Sequence, residues 1–504
     1  MFRLRKRPFH VFHVSRREFV GNVLAAFGGL ILPADAFGAG GKPLLRLGVI
    51  SDIHLGSESK DVDQALEKAL RYYDVAGAEA ILVPGDTAHS GLISEMERFA
   101  KVWDRVFPEC RARDGRKVEL MMITGNHCVD GWGGRWRGWS EERLRANRLN
   151  HGDNLKKTWD RLFHQPFEIM WRREVKGVTF VGAQWTSLNP PIEEYFRKNA
   201  RAFDPSLPFF YTQHPHPKDT CHGRYAIDEH GNDNGESVRA LSPFPNAVAI
   251  TGHSHCSPVD ERTVWQGAFT SIGAGCLRCA SYGYRHANAA MTWHPLYKTN
   301  VMRPIANREE GRNGLLIDVF KDHLLVHRRA FYFGELGEPL GADWCVPLPA
   351  AVDGPFDFRR RAAKLSAPQF AKDAEVKVVY CKVAPPCAGV SFVGKPMVHV
   401  TFPAAQNVGG SRVFDYDVMV VADGQTLLTR PVMATGFALP EARSNRPGEC
   451  LFKPAEIPGG RDVVIAVTPK DCFGNAGRTL RSAPFRIDVA SVARKTRIVH
   501  EKRI

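Results

Sequence analysis

From Leu44 onward the chain alternates two kinds of hydrophobic spacing. Residues 45–51, 80–84 and 118–124 are short apolar runs, the pattern of strands covered on both faces. Between them, Val62, Ala65, Leu66, Ala69, Leu70 and Tyr73 recur at helical spacing, and so do Met96, Phe99, Ala100, Trp103, Val106 and Phe107. Residues three and four apart share a helix face, so each set predicts a helix with one side laid on the strands. The order strand, helix, strand, helix, strand predicts an α/β sheet. Further strands are expected at 178–183, 209–212, 247–251, 269–272, 315–320 and 324–328, with an insertion at about 129–174 holding Trp132, Trp136, Trp139, Trp159 and Trp171.

Past residue 334 the texture changes. Residues 334–370 are rich in Pro, Gly and Ala around an Arg359-Arg360-Arg361 run, which reads as a linker or interdomain cover. Beyond it the period drops to two: Val376, Val378 and Tyr380, then Val398, Val400 and Phe402, then Val463, Ile465 and Val467, then Phe485, Ile487 and Val489. Such alternation between Pro and Gly turns predicts an antiparallel β-sandwich over 371–489, followed by a basic tail at 490–504.

Length and composition agree with two folded units. The 504 residues exceed what one core supports, about 250 to 300. With 44% hydrophobic and 24% charged residues the chain is globular and not disordered in type. A formal charge of +14 favours phosphate-bearing partners. Spread over so long a chain it is equally a solvated surface, so nucleic acid is the less favoured partner.

The N-terminus reads as an address. Ser15-Arg16-Arg17-Glu18-Phe19-Val20 resembles the twin-arginine export motif; an apolar stretch follows at 19–32, and Ala34-Asp35-Ala36 offers small residues for cleavage. The stretch is shorter than the roughly 18 residues of a membrane span. Residues 1–36 are therefore expected to engage the twin-arginine export machinery. That leaves a periplasmic or secreted chain without a transmembrane span, anchored only if the signal stays uncleaved. Export permits disulfides, and among eleven cysteines Cys381 with Cys387 and Cys450 with Cys472 are the pairs to test first. Cys276-Leu-Arg-Cys279, a lone C-x-x-C, is weak evidence for a metal.

Chemistry gathers at the predicted strand ends. Five short motifs follow strands directly: Asp52-Ile-His54, Gly85-Asp86, Gly125-Asn126-His127, Gln213-His214 and Gly252-His253-Ser-His255. Strand ends are where α/β sheets hold ligands, because short loops there aim side chains from several strands into one crevice. Imidazole and carboxylate donors suit manganese, iron or zinc. Asp52 and His54, two apart on an extended segment, would point the same way and reach one ion.

In order and residue type these motifs resemble the calcineurin-like metallophosphoesterase superfamily, over about residues 44–331. The resemblance implies a four-layer α/β/β/α sandwich spanning 37–333, and the C-terminal part is similar to fibronectin/Ig-like modules appended to exported phosphoesterases. It further implies that Asp52, His54 and His255 hold a first metal, that Asn126, His214 and His253 hold a second, and that Asp86 bridges them. The two divalent or trivalent ions (Mn, Fe or Zn) would clamp a phosphoryl group, with a metal-bridging hydroxide attacking phosphorus in line.

By the same resemblance His127 faces the substrate, orienting the phosphoryl group and protonating or stabilising the leaving oxygen; the alternative is a brace for Asn126. Two positions depart from family patterns. Cys128 stands where many relatives have an acidic residue to orient the neighbouring histidine. His89 stands where purple acid phosphatases place a tyrosine, so no iron-tyrosinate site is expected, and His89 reads as a support for ligands before a ligand. His216, between two prolines, is either a substrate contact or an exposed loop residue. The Trp-Arg segment 131–139 either stacks a base or sugar and grips phosphate, or pins the insertion down. The function expected is hydrolysis of an extracytoplasmic phosphomonoester or phosphodiester, a small molecule or an envelope component. The alternatives are a nuclease and a non-catalytic envelope-binding module.

Overall fold

The computed structural model describes residues 41–487, apart from 58–60, 133–135, 187–189, 222–232, 281–285, 287–291, 295–298, 302–307, 384–394 and 408–411. The expected signal at 1–36, the basic tail, Cys387 and Val489 lie outside the described residues.

Three parallel strands, β1 (Leu45–Val49), β2 (Ala80–Pro84) and β3 (Glu119–Ile123), are joined by helices α1 (Val62–Ala76) and α2 (Ile93–Val106). The Glu95 carboxylate closes the N-terminus of α2 by accepting the N–H of Leu92 at the cap and that of Ser90 in the turn before it. Short helices α3 (Asn126–Val129), α4 (Glu141–Asn147) and α5 (Asn154–Phe163) follow. A second set of strands comprises β4 (Met170–Val175), β5 (Val178–Ala183), β6 (Phe209–Thr212), β7 (Ala247–Thr251), β8 (Val264–Gln266) and β9 (Thr270–Gly273), with helices α6 (Ile192–Asn199) and α7 (Glu236–Leu241). After a ribbon of β10 (Thr292–His294) and β11 (Thr299–Val301), the chain returns to the first sheet through β12 (Asn313–Val319), β13 (His323–Ala330), β14 (Glu338–Pro339) and β15 (Trp344–Pro347).

The two sheets run β14-β13-β12-β1-β2-β3, with β15 also on β13, and β4-β5-β6-β7-β9-β8. Their facing sides share one core, in which Leu47, Val49, Leu82 and Met121 meet Phe180, Phe210, Val248 and Ile250. On its outer side the first sheet packs under α1 and α2 through Leu66, Leu70, Met96 and Phe99. The second packs under α6 and α7 through Phe196, Tyr211 and Leu241. Four layers result, α/β/β/α, because each sheet is apolar on both faces and needs a cover on each.

Helix α8 (Phe358–Lys364) leads to strands β16 (Lys377–Cys381), β17 (Met397–Phe402), β18 (Val413–Ala422), β19 (Gln425–Met433), β20 (Gly448–Phe452), β21 (Val463–Asp471) and β22 (Leu480–Arg481). They form antiparallel sheets β16-β17-β20 and β19-β18-β21-β22 around a core of Val398, Val400, Phe402, Val418, Val420, Ile465 and Val467. Val259, Ala330 and Leu340 of the α/β unit join that core. Arg262 lies 4.6 Å over the Phe414 ring, and Arg412 donates to the Leu340 carbonyl at 3.0 Å.

Several elements differ from the sequence reading. The insertion ends in β4, an edge strand hidden by its exposed charged residues such as Arg172 and Glu174. The 334–370 stretch supplies β14, β15 and α8, and Trp344 is buried beneath Arg328. Tyr380, expected inward, is 39% exposed, because β16 is an edge strand. The ten described cysteines are all free, and Cys450 and Cys472 lie on or beside strands of different sheets. Among the described residues no helix is long and apolar enough to cross a membrane.

Candidate metal centre

The seven predicted donors arrive at one crevice from the ends of five strands. Two glycines show how closely. Gly85 sits at φ 99°, in the left-handed region, and a Cβ there would lie 2.4 Å from His214 Nδ1. At Gly125 a Cβ would meet Asp86 Oδ1 at 2.2 Å. Each motif glycine thus occupies space that a ligand from another strand needs.

Asp52, His54 and His255 form one group, with donor atoms all within 4.8 Å of one another; Asp86, His214 and His253 form another. In the first, His255 Nε2 lies 3.0 Å from Asp52 Oδ1 and 3.0 Å from His54 Nε2. In the second, His214 Nε2 lies 3.2 Å from Asp86 Oδ2 and 3.1 Å from Asn126 Oδ1. Asp86 Oδ2 is also 3.9 Å from His54 Nε2, so this carboxylate stands between the groups. The His214 Nδ1–H donates to the Pro84 carbonyl at 2.8 Å, which turns Nε2 inward.

Asp52 and His54 do converge, but the extended-segment argument for it fails. Their φ values are 53° and 52°, left-handed turns and not a strand. Asp86, His253 and His255 share that conformation, at 49°, 68° and 55°. Non-glycine residues rarely adopt it, at a cost of about 1–3 kcal/mol each, and such strain concentrates where side chains must be aimed.

The electrostatics fit cations. Burial opposes charge on His255 and His214, yet the Asp52 carboxylate raises the first to about 10 and Asp86 raises the second to about 9. Burial works against the Asp52 carboxylate too, but His255 and His214 hold its pKa below the usual range. Two buried carboxylates that draw protons onto the facing rings would draw cations in their place, and ring nitrogens that give up those protons suit manganese, iron or zinc ions.

The model of the family described as calcineurin-like phosphoesterase matches residues 45–257, the segment that contains all seven donors. Residues 45–257 form a calcineurin-like metallophosphoesterase domain. The protein is accordingly a metal-dependent phosphoesterase. No curated protein sequence matches the chain. Similar solved structures include a dimetal phosphatase from Danio rerio, at 12% identity over 61% of this chain and 99% of that one, with a TM-score of 0.32. A purple acid phosphatase from yellow lupin is 13% identical over 57% of this chain and 52% of that one, TM-score 0.35. GAP50 of Plasmodium, described as the anchor in the inner membrane complex, is 11% identical over 63% and 94%, TM-score 0.34.

Around the metallophosphoesterase donors stand residues that the sequence placed less well. His127 donates its Nδ1–H to the His89 carbonyl at 3.0 Å, and its backbone N–H donates to Asp86 Oδ1 at 2.8 Å. The orienting partner is therefore a carbonyl and not the side chain of Cys128, which is buried with its thiol pushed up to about 12 by desolvation. His89 Nδ1 lies 3.3 Å from His54 Nδ1, behind the nitrogen that faces the donors. His216 is neither exposed nor at the crevice surface. It is 1% exposed, bonded to Thr251 Oγ1 at 2.6 Å and Ser254 Oγ at 2.8 Å, where it braces the His253–His255 loop.

Among the insertion's tryptophans, Trp159 and Trp171 are core, while Arg148 covers Trp136 and Arg143 covers Trp139. Trp132 differs: it is 49% exposed and stacks on His127, ring centroids 5.4 Å apart. Trp185, which no motif marked, flanks the other side, 5.9 Å from the His253 ring, with its N–H toward Asp130 at 3.3 Å.

Proposed function

We propose that this metallophosphoesterase hydrolyses phosphomonoesters or phosphodiesters at a dinuclear centre, outside the cytoplasm. The observation that carries the dinuclear reading is the place of Asp86, within 4 Å of His214 on one side and His54 on the other. Asp52, His54 and His255 would hold one ion, Asn126, His214 and His253 the second, and Asp86 would be common to both. Such ions, when bound, supply Lewis acidity to phosphoryl oxygens and lower the pKa of water. The extracytoplasmic setting rests on the twin-arginine motif alone.

The side chains do the positioning. His89 behind His54, Pro84 behind His214 and the Asp52 carboxylate under the His253 N–H hold the donors in register before any substrate arrives. His127, anchored through Nδ1, presents Nε2 toward the crevice, 4.0 Å from Asp86 Oδ2. Burial lowers its pKa, so near neutral pH the ring is uncharged and Nε2 accepts a hydrogen bond. Phosphoryl and leaving oxygens are acceptors, so the ring orients the ester and donates to the leaving oxygen in its protonated form, which the negative charge of a bound phosphoester favours. Trp132 offers its open face to the leaving group.

The test is hydrolysis of nitrophenyl mono- and diesters by chelated protein, before and after manganese, iron or zinc is restored. Activity should vanish with the ions and return with them. Full turnover by protein shown to hold no metal would sink the proposal.

A further inference from the structure

A third group of metal-binding atoms adjoins the centre. One ring nitrogen of His255 and the Sγ atoms of Cys276 and Cys279 lie within 4.8 Å of one another. The two cysteines are 0% and 4% exposed, on the loop that leaves β9. That loop is stitched to the segment carrying Asp52. Leu277 donates its N–H to the Ser51 carbonyl at 2.9 Å, and Arg278 donates to the Asp52 carbonyl at 3.2 Å. The Cys276 N–H is held by Asn313 Oδ1 at 3.0 Å. Cys276 Sγ donates to the Asp52 carbonyl at 3.3 Å and accepts the Cys279 N–H at 3.2 Å.

This is more than packing of two small residues. Cys128, Cys450 and Cys472 are also buried free thiols, yet among the described residues none of them belongs to a group of converging donors. Two sulfurs and an imidazole are a soft donor set, matched to zinc, cadmium or cobalt and poorly matched to manganese. An N–H aimed at Cys276 Sγ stabilises the negative charge that metal binding leaves on sulfur. His255 belongs to this set and to the Asp52–His54 set alike, and its Nε2 is 3.0 Å from Asp52 Oδ1. An ion on the thiols draws on the same ring as the first ion of the centre.

We propose that His255, Cys276 and Cys279 form a thiophilic metal subsite for a soft divalent cation such as zinc or cadmium, coupled through His255 to the first half of the phosphoesterase centre. As each metal–sulfur bond forms, the thiol proton passes to solvent. The coupling rests on the function proposed above; the thiolate subsite stands without it.

The experiment is a cadmium titration of the full chain, kept reduced with a phosphine, reading the ultraviolet thiolate-to-cadmium charge-transfer absorbance. The band should saturate at one cadmium per chain. It should disappear in Cys276→Ser/Cys279→Ser, with cadmium binding weaker by at least about tenfold. Cys279→Ser alone, a near-isosteric change, keeps the test open if the double variant does not fold, and should weaken binding in the same direction. A band of undiminished size in a folded variant overturns the subsite, and so does a Cys276–Cys279 disulfide that persists under the reductant. The two proposals fail separately. Ester hydrolysis without the band defeats the subsite alone, whereas the band without hydrolysis by protein reloaded with manganese, iron and zinc in turn supports the subsite and defeats the function.

Discussion

The strand ends of the α/β unit and the C-terminal sandwich use backbone and charge in opposite ways. At the crevice, Asp52, His54, Asp86, His253 and His255 all sit in the left-handed region, and buried carboxylates face buried rings. In the sandwich, the positive-φ non-glycine residue among those described is Asp423, in the turn between β18 and β19, while Val418, Val420, Ile465 and Val467 alternate into an apolar core. One region holds strain that its surroundings impose; the other is close to what its local pattern prefers. Substitutions at the crevice should therefore change chemistry ahead of stability, and those in the sandwich should do the reverse.

Asp86→Asn should break the centre most completely. Bound metal falls and turnover drops by about 10³-fold or more, while the melting temperature of the metal-free protein holds or rises; elemental analysis, kinetics and calorimetry read the three. His127→Ala should keep its metal and lose about 10²- to 10⁴-fold in kcat. If it lost metal and kept its rate per bound ion, the substrate-facing role would be wrong. Ile465→Ala, at a fully buried position, should cost about 2–5 kcal/mol by denaturant titration with turnover per bound ion unchanged. A matching loss of turnover in folded protein would mean that the sandwich reaches the centre.

Trp132→Ala separates substrate contact from support. A stacking loss of about 1–3 kcal/mol should raise KM for aromatic esters and leave glycerol phosphate unaffected. The smallest effect belongs to His327 on β13. Burial opposes its charge, but Asp318 and Asp343 raise its pKa from the ordinary 6.5 to about 9. A raised folded-state pKa adds stability that is complete below about 6.5 and is lost as pH climbs through about 9. Stability should decline across that window by about 1 to 2 kcal/mol, and His327→Gln should flatten the slope.

The periodic elements were legible because the signal is local. The apolar runs at β5, β6 and β7 match their strands residue for residue, and α1 and α2 bury the faces their spacing marks. Strands whose outer residues are charged or whose neighbours are Pro and Gly, β4 and β15, were not legible, since an edge position tolerates a sequence that reads as loop. The motifs name the donors but not the reason that Asp52 and His54 meet, because a left-handed backbone at Asp or His leaves no mark in composition. His216 is hard to place for a related reason: flanking prolines suggest exposure, and it is contacts across the fold, with Thr251 and Ser254 from β7 and the loop after it and with Cys221, that bury the ring.

What the chain determines by itself is which residues are able to form strands and helices and which side chains can bind a cation or move a proton, since those properties reside in a residue and its near neighbours. Only the tertiary structure decides which of them meet. Cys279 faces His255, the His89 carbonyl anchors His127 and Trp185 flanks His253 because sheet order fixes neighbours that the sequence holds far apart. Distance along the chain says nothing of distance across a crevice, and chemistry depends on the latter.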